Sequence, residues 1–278
     1  FLAFFLVWNF ETFAQQKVTL EDVFKNNTFS QKSVQGINWM KDGQFYSKLQ
    51  RGQAGSKVVK VNVTTGEETE ILIDGEALGV NFSTYSFNAD ESKALIASEV
   101  ESIYRRSSKG VYHVVDLEKG NAQKLLNGEK IMYATLSPEN DKVAFVKDNN
   151  LYIIELATNE VTQVTYDGNW NHVINGAADW VYEEEFAITK AYGWSPDSKY
   201  IAYLRFDEKS VPEYNMDFYG ALYPEQYTFK YPKAGEVNSI VTAHCISLES
   251  KKVQQINLGT YEYIPRLNWS SKSNQLIV

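Results

Sequence analysis

Read for hydrophobic alternation, the chain repeats one unit: an apolar strand end, a polar turn, then an alternating strand. The strand end and turn stand at 37–43 (INWMKDG), 85–90 (YSFNAD), 135–140 (TLSPEN), 193–198 (GWSPDS) and 268–273 (NWSSKS). Alternating segments follow at 94–97, 143–146, 200–204 and 275–278, and period-two alternation is the mark of half-buried strands. Further strands and hairpins follow at 58–67, 112–117 and 151–160. From Trp39 to Phe87 is 48 residues, to Leu136 a further 49, to Trp194 a further 58 and to Trp269 a further 75. A repeat about four strands long is the signature of a β-propeller blade, so the expected fold class is all-β, a β-propeller; an unrelated β-sandwich is the alternative. The two long spacings place insertions at 169–192 and 207–241. The second is aromatic, holds three of the six prolines (Pro212, Pro224, Pro232), and reads as an extended arm or as a hairpin folded onto its own blade.

Inside the first insertion the strand pattern breaks at Asp179-Trp180-Val181-Tyr182-Glu183-Glu184-Glu185-Phe186. Asp179 is a good helix N-cap, and three glutamates in the first two turns suit the positive end of a helix dipole. On a strand, adjacent glutamates would point to opposite faces; on a helix, about 100° apart, two of the three lean toward one point. A bare Glu triplet is otherwise a solvated face, but Trp180, Tyr182 and Phe186 supply anchors. A short leading helix is expected over 19–29, capped by Thr19, with Leu20, Val23 and Phe24 at helical spacing.

Composition narrows the function. A net charge of −8 argues against nucleic acid or an anionic membrane and is compatible with cationic ligands such as a peptide ammonium. The single cysteine, Cys245, excludes an internal disulfide. His113, His172 and His244 show no metal-ligand spacing; no metal and no cofactor is expected. The apolar run 1–8 (FLAFFLVW), followed by 11–16 (ETFAQQ), reads as the back of a secretory signal peptide cleaved after Ala14. Export to a periplasm, cell surface or medium is therefore expected. The reading divides the chain into a signal-peptide remnant (1–14), a leading segment (15–36) and an incomplete propeller (37–278).

The stretch 179–185 resembles the double-Glu motif of the dipeptidyl peptidase IV family, serine exopeptidases of the prolyl oligopeptidase clan. Tyr104-Arg105-Arg106-Ser107, Trp194-Ser195-Pro196-Asp197, Val211-Pro212-Glu213-Tyr214 and Tyr231-Pro232-Lys233-Ala234-Gly235 are similar to other landmarks of that propeller, in the same order. The resemblance implies an eight-bladed propeller, of which this chain reaches about the fifth blade, and a separate α/β-hydrolase domain with a Ser-Asp-His triad. No Gly-x-Ser-x-Gly elbow occurs here, so no catalytic residue is assigned in this chain, which is expected to be inactive and poorly soluble alone. The resemblance implies that Glu184 and Glu185 bind the substrate's free α-ammonium and that Arg105 contacts the substrate carbonyl and supports the glutamates. The second arginine, Arg106, leaves that register open by one. Glu183 reads as structural. Release of dipeptides with Pro or Ala second, from peptides with a free N-terminus, is the activity implied for the parent enzyme, with a homodimer formed through the arm 214–241. A prolyl tripeptidyl peptidase or a non-catalytic propeller binding module are the alternatives.

Overall fold

The computed structural model describes residues 17–31, 36–52, 55–271 and 274–278. The expected signal peptide lies outside them. By contacts the chain divides into Phe1–Gln35 and Gly36–Val278.

In the first unit, helix α1 (Leu20–Phe24) is shorter than the expected 19–29. Thr19 caps it in a full capping box with Asp22, but Asn27 takes a left-handed φ of 49°, which stops propagation. Leu20, Val23 and Phe24 are exposed, so their spacing marks no buried face.

The second unit is a series of antiparallel sheets. The first joins β1 (Asn38–Trp39), β2 (Phe45–Gly52), β3 (Gly55–Asn62) and β4 (Glu68–Asp74) in sequence order; a one-turn helix α2 (Gly75–Leu78) follows. The second joins β5 (Phe82–Phe87), β6 (Lys93–Ser102), β7 (Ser108–Asp116) and β8 (Asn121–Lys124). The third joins β9 (Met132–Leu136), β10 (Lys142–Lys147), β11 (Asn150–Glu155) and β12 (Val161–Gln163). These are propeller blades. Apolar clusters lock neighbours together: Val58 and Ile73 meet Phe82 and Ile96, Leu95 and Val114 meet Val143 and Phe145, and Val146 and Leu151 meet Trp194 and Ile201.

The repeat seen in the sequence is a repeat of register. Trp39, Phe87, Leu136, Trp194 and Trp269 each end the first strand of a blade and pair with the residue seven positions on: Tyr46, Ala94, Val143, Ile201 and Leu276. The next residue's N–H bonds a carbonyl five positions ahead in all five turns, as in Ser137 to Lys142 and Ser195 to Tyr200. Gly43, Glu91, Asn140 and Ser198 take the left-handed conformation at the equivalent turn position, and polar side chains close the turn, as when Ser195 donates to Asp197. The Asn/Asp/Ser-rich composition of these turns thus serves backbone hydrogen bonding. Successive turns also touch: Asn140 donates to Asp90 at 2.9 Å, and the Glu139 N–H donates to Ser198 at 3.0 Å.

The fourth blade explains both long spacings. Its first-strand position is split. β13 (Val173–Asn175) pairs residues 205–207 of β15 (Tyr200–Asp207), and β14 (Tyr192–Trp194) pairs residues 201–203 on the same strand. Helix α3 (Trp180–Phe186) loops out between the two pieces. After β15, a separate two-stranded sheet, β16 (Glu213–Phe218) and β17 (Glu225–Lys230), precedes β18 (Ile240–Ser247) and β19 (Val253–Gln255), which complete the blade. The arm is therefore a hairpin outside the blade. A last pair, β20 (Asn268–Trp269) with β21 (Leu276–Ile277), opens a further blade.

Candidate functional site

Three residues fasten α3. Asp179 is the N-cap: its Oδ1 accepts the Tyr182 N–H at 2.9 Å and its Oδ2 accepts the Ser239 hydroxyl at 2.6 Å. Burial pushes this carboxyl's pKa up, against those two hydrogen bonds. Tyr182 is buried, its ring 5.0 Å from that of Phe206, and its hydroxyl accepts the Ile264 N–H at 2.8 Å. Burial raises this phenol to about 12. Ala187, left-handed at φ 55°, ends the helix.

The helical turn sends the three glutamates different ways. Glu183 is 1% exposed, and its Oε1 accepts two backbone N–H groups, Arg106 at 2.6 Å and Ser107 at 2.9 Å. Glu184 is half-buried, and its Oε2 takes the Arg105 guanidinium at 3.1 Å. Glu185 is exposed, and among the described residues no hydrogen bond or ion pair engages its carboxylate. The two arginines left open by the sequence are thereby distinguished: Arg105 meets the acidic helix through its side chain, Arg106 through its backbone. Both lie in the turn between β6 and β7.

The arm packs its base here. Trp180 and Tyr231 rings lie 4.3 Å apart, Tyr104 and Phe229 5.7 Å, Trp170 and Tyr227 5.9 Å. Beyond the base, Phe218, Tyr219, Leu222 and Tyr223 are exposed. The hairpin thus packs at its base on the insertion of its own blade and on the β6–β7 turn of the second blade, and its tip residues are exposed.

Behind the helix start, a small cavity of about 60 Å³ is bounded by Tyr104, Trp170, Asn171, Asp179, Trp180 and Glu208. Glu208 is 6% exposed. Burial pushes its carboxyl up to about 8, the Asp179 charge adds to this, and Lys230 opposes it. Nothing in the sequence marks Glu208, which stands in the polar run Asp207-Glu208-Lys209-Ser210 at the start of the second insertion; the same holds for Ser239 and the Tyr182–Ile264 link. Among the described residues no group of three His, Cys, Asp or Glu side chains is placed to hold a metal ion.

Fold and site together define a β-propeller domain carrying an acidic helical insertion bound to an arginine turn. Residues 88–278 match the family described as "Dipeptidyl peptidase IV (DPP IV) N-terminal region", and the chain belongs to that family. It is 35% identical to prolyl endopeptidase FAP of Bos taurus, over 84% of this chain and 30% of the relative. It is 30% identical to a probable dipeptidyl-aminopeptidase B of Phaeosphaeria nodorum, over 95% of this chain and 32% of the relative. The crystal structure of Porphyromonas gingivalis dipeptidyl peptidase 4 superposes with a TM-score of 0.83 at 35% identity, over 91% of this chain and 37% of that one. The chain therefore spans about a third of the length of the curated relatives it matches.

Proposed function

We propose that this chain is the substrate-reading propeller portion of an exported serine exopeptidase that releases N-terminal dipeptides with Pro or Ala in second position. Glu184 and Glu185 receive the peptide's α-ammonium, and Arg105 receives its carbonyl oxygen. The observation that carries this reading is the half-buried Glu184 bridged to Arg105, beside an exposed Glu185 without a partner. An ammonium has three donors and no acceptor, and carboxylates are acceptor-only. Arg105 occupies one Glu184 oxygen, and the remaining lone pairs are available. Each charge-assisted hydrogen bond contributes roughly 1.5–3 kcal/mol. Two carboxylates held on one helix set the distance from the amine to a distant nucleophile, so the cleavage point is counted from the N-terminus. The exposed arm tip supports a homodimer of the whole enzyme.

The test uses the full-length protein and a chromogenic Gly-Pro amide. Glu184→Ala and Glu185→Ala should each lower kcat/KM by about tenfold or more, the loss of at least one such bond. Wild-type kcat/KM in both variants refutes the reading. Release of tripeptides in place of dipeptides moves it to the tripeptidyl alternative.

A further inference from the structure

We propose that Glu183 is a positioning residue for Arg105: it ties the arginine turn to the acidic helix and so fixes where the guanidinium can reach. This inference rests on the reading of Glu184, Glu185 and Arg105 given above. The Arg105 side chain is 71% exposed. An exposed ion pair by itself holds a long side chain weakly, so the pairing with Glu184 does not explain why the guanidinium stays there. What confines it is the backbone beneath. The turn is closed by the Ile103 N–H on the Ser107 carbonyl at 2.9 Å and the Tyr104 N–H on Ser107 Oγ at 3.1 Å. The N–H groups that follow Arg105, on Arg106 and Ser107, both end on Glu183 Oε1.

Glu183 and Ser107 are both buried, and no cation pairs with this carboxylate among the described residues, so the two amide dipoles supply its compensation. A buried carboxylate without them is strongly disfavoured, which makes the geometry all-or-none. The tether crosses from the second blade to the insertion of the fourth, over 77 residues of sequence. Besides the exposed Arg105–Glu184 pair and the Tyr104–Phe229 ring contact, this buried tether is the hydrogen-bonded link that locks the two parts of the site together directly. Burial also excludes Glu183 from the ammonium, so its effect on substrate is exerted through Arg105.

The experiment compares Glu183→Ala, Glu183→Asp, Glu183→Gln, Arg105→Ala and Glu183→Ala/Arg105→Ala in the full-length enzyme, with KM and kcat on the Gly-Pro amide and a thermal melt of each. Glu183→Ala and Glu183→Asp, which is too short to reach both amides, should raise KM about tenfold, with kcat changed less. Glu183→Gln presents an amide oxygen to the same donors and should return KM to within about threefold of wild type. With Arg105 already removed, Glu183→Ala should add less than about a twofold change. The inference is overturned if Glu183→Asp melts like wild type and keeps its KM, if Glu183→Gln is no better than Glu183→Ala, or if the Glu183 and Arg105 effects multiply. Should Glu184→Ala and Glu185→Ala lose activity while Glu183→Asp does not, only this inference fails. If all three behave as wild type, the reading of the site fails with it.

Discussion

Glu208→Gln tests the electrostatics behind the acidic helix. In the fold Glu208 is buried and titrates at about 8 against 4.5 for the free acid. The groups facing it are Asp179 at the helix cap, Asp207 at the end of β15, Lys230 on β17 and the Tyr104 hydroxyl from the β6–β7 turn. At 1.36 kcal/mol per pH unit, this displacement corresponds to roughly 4–5 kcal/mol between the two protonation states. The sign follows from proton counting. Between pH 4.5 and about 8 the folded chain holds a proton that the unfolded chain has released. The Glu208 contribution to stability is therefore greatest below 4.5 and falls as pH rises, with a slope of at most about 1.4 kcal/mol per pH unit for one proton. His113 and His244, whose pKa values burial lowers below 6.5, act oppositely: their contribution is lost as pH falls through 6.5. The readout is accordingly a difference, denaturant midpoints of wild type and Glu208→Gln from pH 5 to 9. The variant should gain on wild type by several kcal/mol across that window. Parallel curves would refute the assignment of a buried neutral acid.

Tyr182→Phe leaves the buried Ile264 N–H without its acceptor and should cost about 1–3 kcal/mol, seen as a lower Tm with unchanged secondary structure; an unchanged Tm counts against that link. Substituting the exposed arm-tip residues Leu222 and Tyr223 by Ser should shift the full-length protein toward monomer in sedimentation velocity, with stability altered by less than about 0.5 kcal/mol. A dimer that persists argues against the arm as its contact.

The five turn units were legible because their chemistry is local. A left-handed fourth residue, described in four of the turns, and side chains that bond the turn backbone favour Gly, Asn, Asp and Ser, with Glu91 the departure. The cap at Asp179 was legible for the same reason, and so were the two insertions, as excess spacing. The leading helix is shorter than its spacing suggests because helical spacing without a partner surface is a weak constraint. Proline and aromatic content announce the hairpin's excursion from the blade but carry no information about what its base will touch.

The sequence by itself determined the blade repeat, its turn register and the acidic helix, since each depends on residues within one turn or one hairpin. Only the tertiary structure decided that three adjacent glutamates have three different fates. Glu183 is consumed by backbone amides from another blade, Glu184 is paired to an arginine 79 residues earlier, and Glu185 is left free. It likewise made Glu208, unmarked in the polar run at the start of the second insertion, a buried acid. Burial and pairing across blades are properties of chain segments brought together from far apart, and no local pattern of residues encodes them.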